Sequence, residues 1–171
     1  MTKEAKNYWE LIDYNLNHVQ NSEIKASFIL TIYGIIVGFS QQIQFDFSNI
    51  GNFIYIVYFL GSFFILFSLA AIYFCFKVYK PRINQKLKKS VFFFFDIRDY
   101  YKTADIYRKE LKEVMEDSEV LKDLLSEQAY INGIIAADKY TNVLKSIQYF
   151  IYSIISLLAI LIFELIILQI I

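Results

Sequence analysis

Lys25, Arg82, Arg98 and Lys139, with Tyr140 beside the last, are the side chains whose types bear on ligand chemistry. Guanidinium and ammonium groups bind phosphate oxygens through charge-assisted hydrogen bonds, and an aromatic face stacks a nucleotide base or holds a cation. Asn21, Glu23 and Asp138 stand close by in sequence. The same set therefore also reads as interfacial ion pairs and as positive charges resting on lipid headgroups. Trp9, flanked by Tyr8 and Tyr14, is either a further stacking surface or core packing.

Two other features lie in apolar surroundings. Glu164 is the one ionisable group well inside an apolar run, where an ionised carboxylate is costly unless it pairs or faces a bundle interior. It reads as a pore-lining or subunit-contact residue, or, with seven residues following it, as a group near the outer headgroups. Gly34 and Gly38 form a small-x-x-x-small step, the pattern that lets membrane helices approach closely and self-associate.

Catalytic parts are missing. The chain has no Gly-rich phosphate loop, no G-x-S-x-G and no paired histidines, and it contains one His (His18) and one Cys (Cys75). The expectation is a protein that is not an enzyme and carries no metal or cofactor. Seventeen Lys+Arg balance seventeen Asp+Glu, so no global field selects nucleic acid.

What must position these residues is set by composition. At 57% hydrophobic and 19% aromatic over 171 residues, with mean hydropathy +0.40, the chain is far more apolar than a soluble domain, and the expected class is an all-α membrane protein. Three stretches meet the requirement of about 20 mostly apolar residues: 26–45, thinned at its far end by Ser40, Gln41, Gln42 and Gln44; 53–76, uncharged and rimmed by tyrosines; and 146–171. The connection 41–52 holds no Lys or Arg, whereas Lys77, Lys80, Arg82, Lys86, Lys88, Lys89 and Arg98 crowd the other side. By the positive-inside rule the 77–145 region and the N-terminus are cytosolic and the C-terminus lies outside. The N-terminal stretch is polar and acidic where a cleavable signal needs a basic start and an apolar core.

Outside the spans, Trp9, Ile12, Leu16 and Val19 make an apolar stripe that predicts a helix over 2–25. Leu121, Leu124, Leu125, Ile131 and Ile135 predict another from about Glu119, and a third covers 100–115. Ser118 is placed to cap the helix that follows it, and "VFFFFD" reads as a buried strand-like piece or as an amphipathic patch on the membrane. Neither 25–26 nor 145–146 carries a Pro or Gly. The 1–25 helix and the helix from about Glu119 that closes the 77–145 helical region therefore enter the bilayer unbroken, within a single domain over 1–171.

The segment "NSEIKASFILTIYGIIVGF" is similar to the D-x-K-A-S…G opening of the Pycsar transmembrane effectors, with Lys25, Ala26, Ser27 and Gly34 matching and Glu23 standing where the family often has Asp. "KPR", "FFFFDI", "EQAYINGIIAADKY" and "TNVLKSIQYFIYSI" resemble that family in the same order over nearly the whole chain. The resemblance implies an antiphage effector of the bacterial inner membrane, and the Gly34–Gly38 step predicts a homo-oligomer. A partner cyclase makes a cyclic nucleotide during infection, the effector binds it as a regulatory ligand and disrupts the membrane, and the cell dies before phage spread. A related CBASS-type effector with a cyclic oligonucleotide ligand, or a non-toxic anchor recruiting a cytosolic partner through the acidic 105–127 region, remains an alternative.

Overall fold

The computed structural model describes residues 3–40, 54–80 and 89–170, and among them every regular element is an α-helix. In chain order these are α1 (Lys3–Ser40), α2 (Ile54–Tyr79), α3 (Phe94–Tyr100), α4 (Ala104–Glu116) and α5 (Ser118–Ile170). Three of them, α1, α2 and α5, are long and apolar enough to cross a membrane. The chain is an all-α membrane protein. The expected end of the first span, the 41–52 connection, Pro81, Arg82, Lys86 and Lys88 lie outside the described residues.

The residues form two compact units, one from 1–20 and 81–138, the other from 21–80 and 139–171. Both divisions fall inside helices: α1 runs 38 residues and α5 runs 53, without a break at Gln20 or Asp138.

In the first unit, Ala5, Ile12, Val91, Tyr101, Val114, Leu121, Leu125 and Ala129 form a buried cluster. The inward face of α1 is turned from the expected stripe. Leu16 is 41% exposed, whereas Asn15 donates from Nδ2 to the Ala129 carbonyl at 3.1 Å. Residues 5, 8, 12 and 15 share one side of a 3.6-residue helix, so the small Ala5 and the polar Asn15 complete a face that a search for large apolar residues misplaces. "VFFFFD" is not a strand. Val91 is buried, Phe92 meets Trp9 edge-on at 5.4 Å, and the chain then turns helical at Phe94, where the Asp96 carboxylate accepts from Ser90 N–H at 2.8 Å.

Helix starts are set by side-chain oxygens. Thr103 accepts from Ile106 N–H and caps α4, which therefore begins four residues later than the periodicity predicts. Asp117, not Ser118, caps α5: its Oδ1 accepts from Glu119 and Val120 N–H at 3.0 and 3.2 Å. Ser118 is already the first helical residue, one position too late to reach those donors.

The segment before α3 is tied to α4 by Lys89, whose Nζ contacts both Glu110 carboxylate oxygens at 2.9 and 2.7 Å and lies 4.4 Å from the Tyr101 ring centroid. The Lys89 hydrogen bond holds the Glu110 carboxyl below the ordinary range, and the same bond raises Lys89. Because the folded Glu110 pKa is depressed, its contribution is present above the unfolded value of about 4.3 and disappears as pH falls through the folded one. The raised Lys89 contributes below the unfolded lysine value of about 10.4 and is lost as pH rises through its folded value.

The second unit packs small residues at the centre. Ala26, Ala71, Cys75, Ser146 and Ser153 are completely buried, which lets α1, α2 and α5 approach closely. Their hydroxyls are satisfied in place. The Tyr33 and Ser153 hydroxyls bond to each other at 2.7 Å, and Ser156 donates to the Leu60 carbonyl at 2.8 Å.

Leu125→Ala is expected to destabilise the protein by about 2–5 kcal/mol and Asp117→Ala by about 1 kcal/mol, measured by denaturant unfolding in detergent. Lys89→Gln should flatten the acid limb of stability below about pH 4 relative to wild type; an unchanged limb would show that the tie contributes nothing there.

Candidate functional site

Lys139 sits on the inward face of α5, four residues before Val143 and seven before Ser146, both completely buried. That register carries an ammonium group into the packed unit: the Lys139 side chain is 10% exposed. A charge so placed needs a partner, because desolvation of an unpaired ion costs several kcal/mol. The Glu23 carboxylate on α1 supplies it through a direct, charge-assisted hydrogen bond.

A second set of contacts adjoins the pair. The Glu23 backbone carbonyl lies 3.0 Å from both the Tyr79 hydroxyl of α2 and the Ser27 hydroxyl of α1, and the two hydroxyls also bond to each other. Glu23 thereby joins all three long helices, α5 through its side chain and α2 through its carbonyl. The arrangement is a clasp that ties α1 to both other long helices.

The sequence candidates fare differently. Lys139 is engaged by Glu23. Lys25, two residues beyond Glu23, falls on the far side of α1 and is exposed, and Tyr140 is 45% exposed. Arg98 belongs to the first unit, where it is exposed and pairs with Asp99 at 2.7 Å; that bond holds Asp99 below the usual carboxylate range. Arg82 lies outside the described residues. Gly34 and Gly38 are exposed, and a methyl group added at either would meet nothing within 4 Å, so this face of α1 is open. Glu164 is half-buried on α5. Among the described residues no group of three or more His, Cys, Asp or Glu is arranged to hold a metal ion.

Sequence reasoning missed Tyr79, read there as one of several interfacial tyrosines. Its position between Lys77 and Lys80 at the end of α2, facing Glu23 across a helix pair, leaves no mark in the linear pattern. Glu23 and Lys139 stood in the sequence only among residues that read as interfacial ion pairs, with no partner assigned, because 116 residues separate them.

The asymmetry of burial predicts unequal mutants. Glu23→Ala leaves a nearly buried ammonium unpaired and is expected to cost about 3 kcal/mol, whereas Lys139→Met leaves a carboxylate that water reaches and should cost about 1 kcal/mol. Chemical unfolding in detergent of both single variants and the double variant checks this; equal losses would show that burial does not govern the pair.

The family model described as Pycsar effector protein domain matches residues 7–166. No curated protein and no solved structure matches the chain. Residues 7–166 include the clasp residues Glu23, Ser27, Tyr79 and Lys139, the Gly34–Gly38 face and all of the first-unit helices α3 and α4. The chain belongs to the Pycsar effector domain family and is an antiphage defence effector of the membrane.

Proposed function

We propose that this effector resides in the bacterial inner membrane with its N-terminus in the cytosol, and that a cyclic nucleotide made by a partner cyclase rearranges a homo-oligomer of it and disrupts the membrane. The observation that carries this reading is the continuity of α1 and α5, each of which passes from residues of the first unit into residues of the second without a helix break. A stiff helix has no joint to absorb a displacement, so a shift of its polar part moves its apolar part. A ligand drives such a change only by the difference between its affinities for the two states.

The open Gly34–Gly38 face favours self-association of α1. The basic residues Lys77, Lys80, Lys89 and Arg98 favour a cytosolic 77–145 region. Within the second unit, Lys25 and Tyr140 are the exposed candidates for nucleotide contact. An anionic ligand reaching Lys139 would have to displace Glu23, which makes the clasp the element that such a ligand biases. Chemistry in this reading is confined to binding, with no catalytic step.

Bacteria expressing the effector with a nucleotide cyclase should depolarise, as read by a membrane-potential dye, while either protein alone leaves the potential intact. Gly34→Leu with Gly38→Leu should abolish depolarisation without lowering expression. Depolarisation that ignores the cyclase, or a silent membrane in every combination with a co-purifying cytosolic partner, would replace this reading with an unregulated toxin or an anchor.

A further inference from the structure

Two lysines of the second unit converge on a single ring. Lys77, in the last turn of α2, places Nζ 5.4 Å from the Phe74 centroid and 4.7 Å from that of Tyr73. Lys145 of α5 places its Nζ 5.5 Å from the same Phe74 ring. Neither forms an ion pair with a carboxylate among the described residues. An aromatic quadrupole attracts an ammonium group but carries no net charge, so two cations gathered at one ring remain electrostatically unneutralised.

The surroundings decide what kind of anion would fit. Phe74 lies parallel to Tyr149, with centroids 5.5 Å apart and 3° between planes. From Tyr149 the rings continue through Phe67 at 6.4 Å, Phe63 at 5.8 Å and Phe59 at 4.9 Å, leading away from the lysines along the apolar part of α2. Phe59 is 62% exposed, and so is much of the neighbouring apolar surface, including Leu66 and Leu69. The feature is therefore cationic at one end and apolar beyond it, which matches an amphiphile rather than a small soluble ion.

We infer that Lys77 and Lys145, on the floor made by Phe74 and Tyr149, form a headgroup site for an anionic phospholipid whose acyl chain lies along the ring track. A phosphodiester presents two anionic oxygens, one for each ammonium, and its negative charge removes the repulsion between them. Lysines at the end of an apolar helix reach the headgroup level with their alkyl stems against the rings, and the aromatic residues suit that same depth. This site is independent of the nucleotide reading, because it needs neither Lys25 nor Lys139.

The test uses the full chain reconstituted in nanodiscs of equal parts phosphatidylglycerol and phosphatidylcholine, with lipid retention read by native mass spectrometry. Wild type should retain phosphatidylglycerol in preference to phosphatidylcholine, with retention weakening as salt rises. Lys77→Gln and Lys145→Gln should each lower that retention about fivefold and the pair of substitutions about thirtyfold, while Lys77→Arg with Lys145→Arg preserves it. Lys112→Gln, remote in the first unit, should change nothing. Equal retention of the two lipids by wild type, or a double Gln variant that holds phosphatidylglycerol as wild type does, overturns the site. Displacement of the lipid by millimolar inorganic phosphate would reassign it to a free anion. Because the wild-type lipid preference and its salt dependence are read without any substitution, a variant that fails to fold leaves the outcome decided.

Discussion

A peptide N–H or C=O left without a partner in hydrocarbon costs several kcal/mol, and most of this chain's organisation follows from avoiding that cost. Only a helix closes all of its own backbone bonds within one segment, so an element that starts in water and ends in lipid is cheapest when it never stops being helical. α1 and α5 meet this condition, and α5 at 53 residues is more than twice the about 20 that a bilayer core requires. The same rule extends to side chains. Ser27, Thr31, Ser62, Ser146 and Ser153 each donate to a carbonyl three or four residues earlier on their own helix, so their hydroxyls are bonded without recruiting water.

Against that background, the Glu23–Lys139 pair is a deliberate exception. A buried ion pair is weak evidence for stability, since well-packed apolar residues of similar volume are often as good or better. Its value lies in specificity: a charge at position 139 is acceptable in one register only, with Glu23 opposite, and the Tyr79 and Ser27 hydroxyls mark the same register from α2 and α1. That register is set by one carboxylate and one ammonium, whereas the surrounding alanines and serines would tolerate others.

The first unit is held together differently. Its exposed ion pairs along α4, Lys109–Glu113 and Lys112–Glu116, are solvent-accessible and contribute a few tenths of a kcal/mol each at most. The Tyr107, Leu111 and Val114 side of that helix, packed on Val91, Tyr101, Leu121 and Leu125, carries the cohesion. Lys89 links charge and packing there, because the ammonium that pairs with Glu110 also lies against the Tyr101 ring.

Ordered motifs carried the family resemblance, and the linear pattern was enough to establish the all-α membrane class, the three long apolar helices and the absence of a break at residues 25 and 145. These depend on local quantities: hydropathy summed over about 20 residues, a 3.6-residue period, and the absence of Pro and Gly at the junctions. Contacts decided the rest. That Lys139 is paired rather than open to ligand, that Asn15 takes the place expected of Leu16, that Tyr79 binds the Glu23 carbonyl and that Lys77 and Lys145 share Phe74 all depend on which residues of distant helices end up facing each other. Hydropathy records how greasy a position is but not its angle relative to a helix a hundred residues away, and a lysine or tyrosine scores the same whether it meets a carboxylate, a ring or water. Only packing, which fixes those angles, distinguishes them.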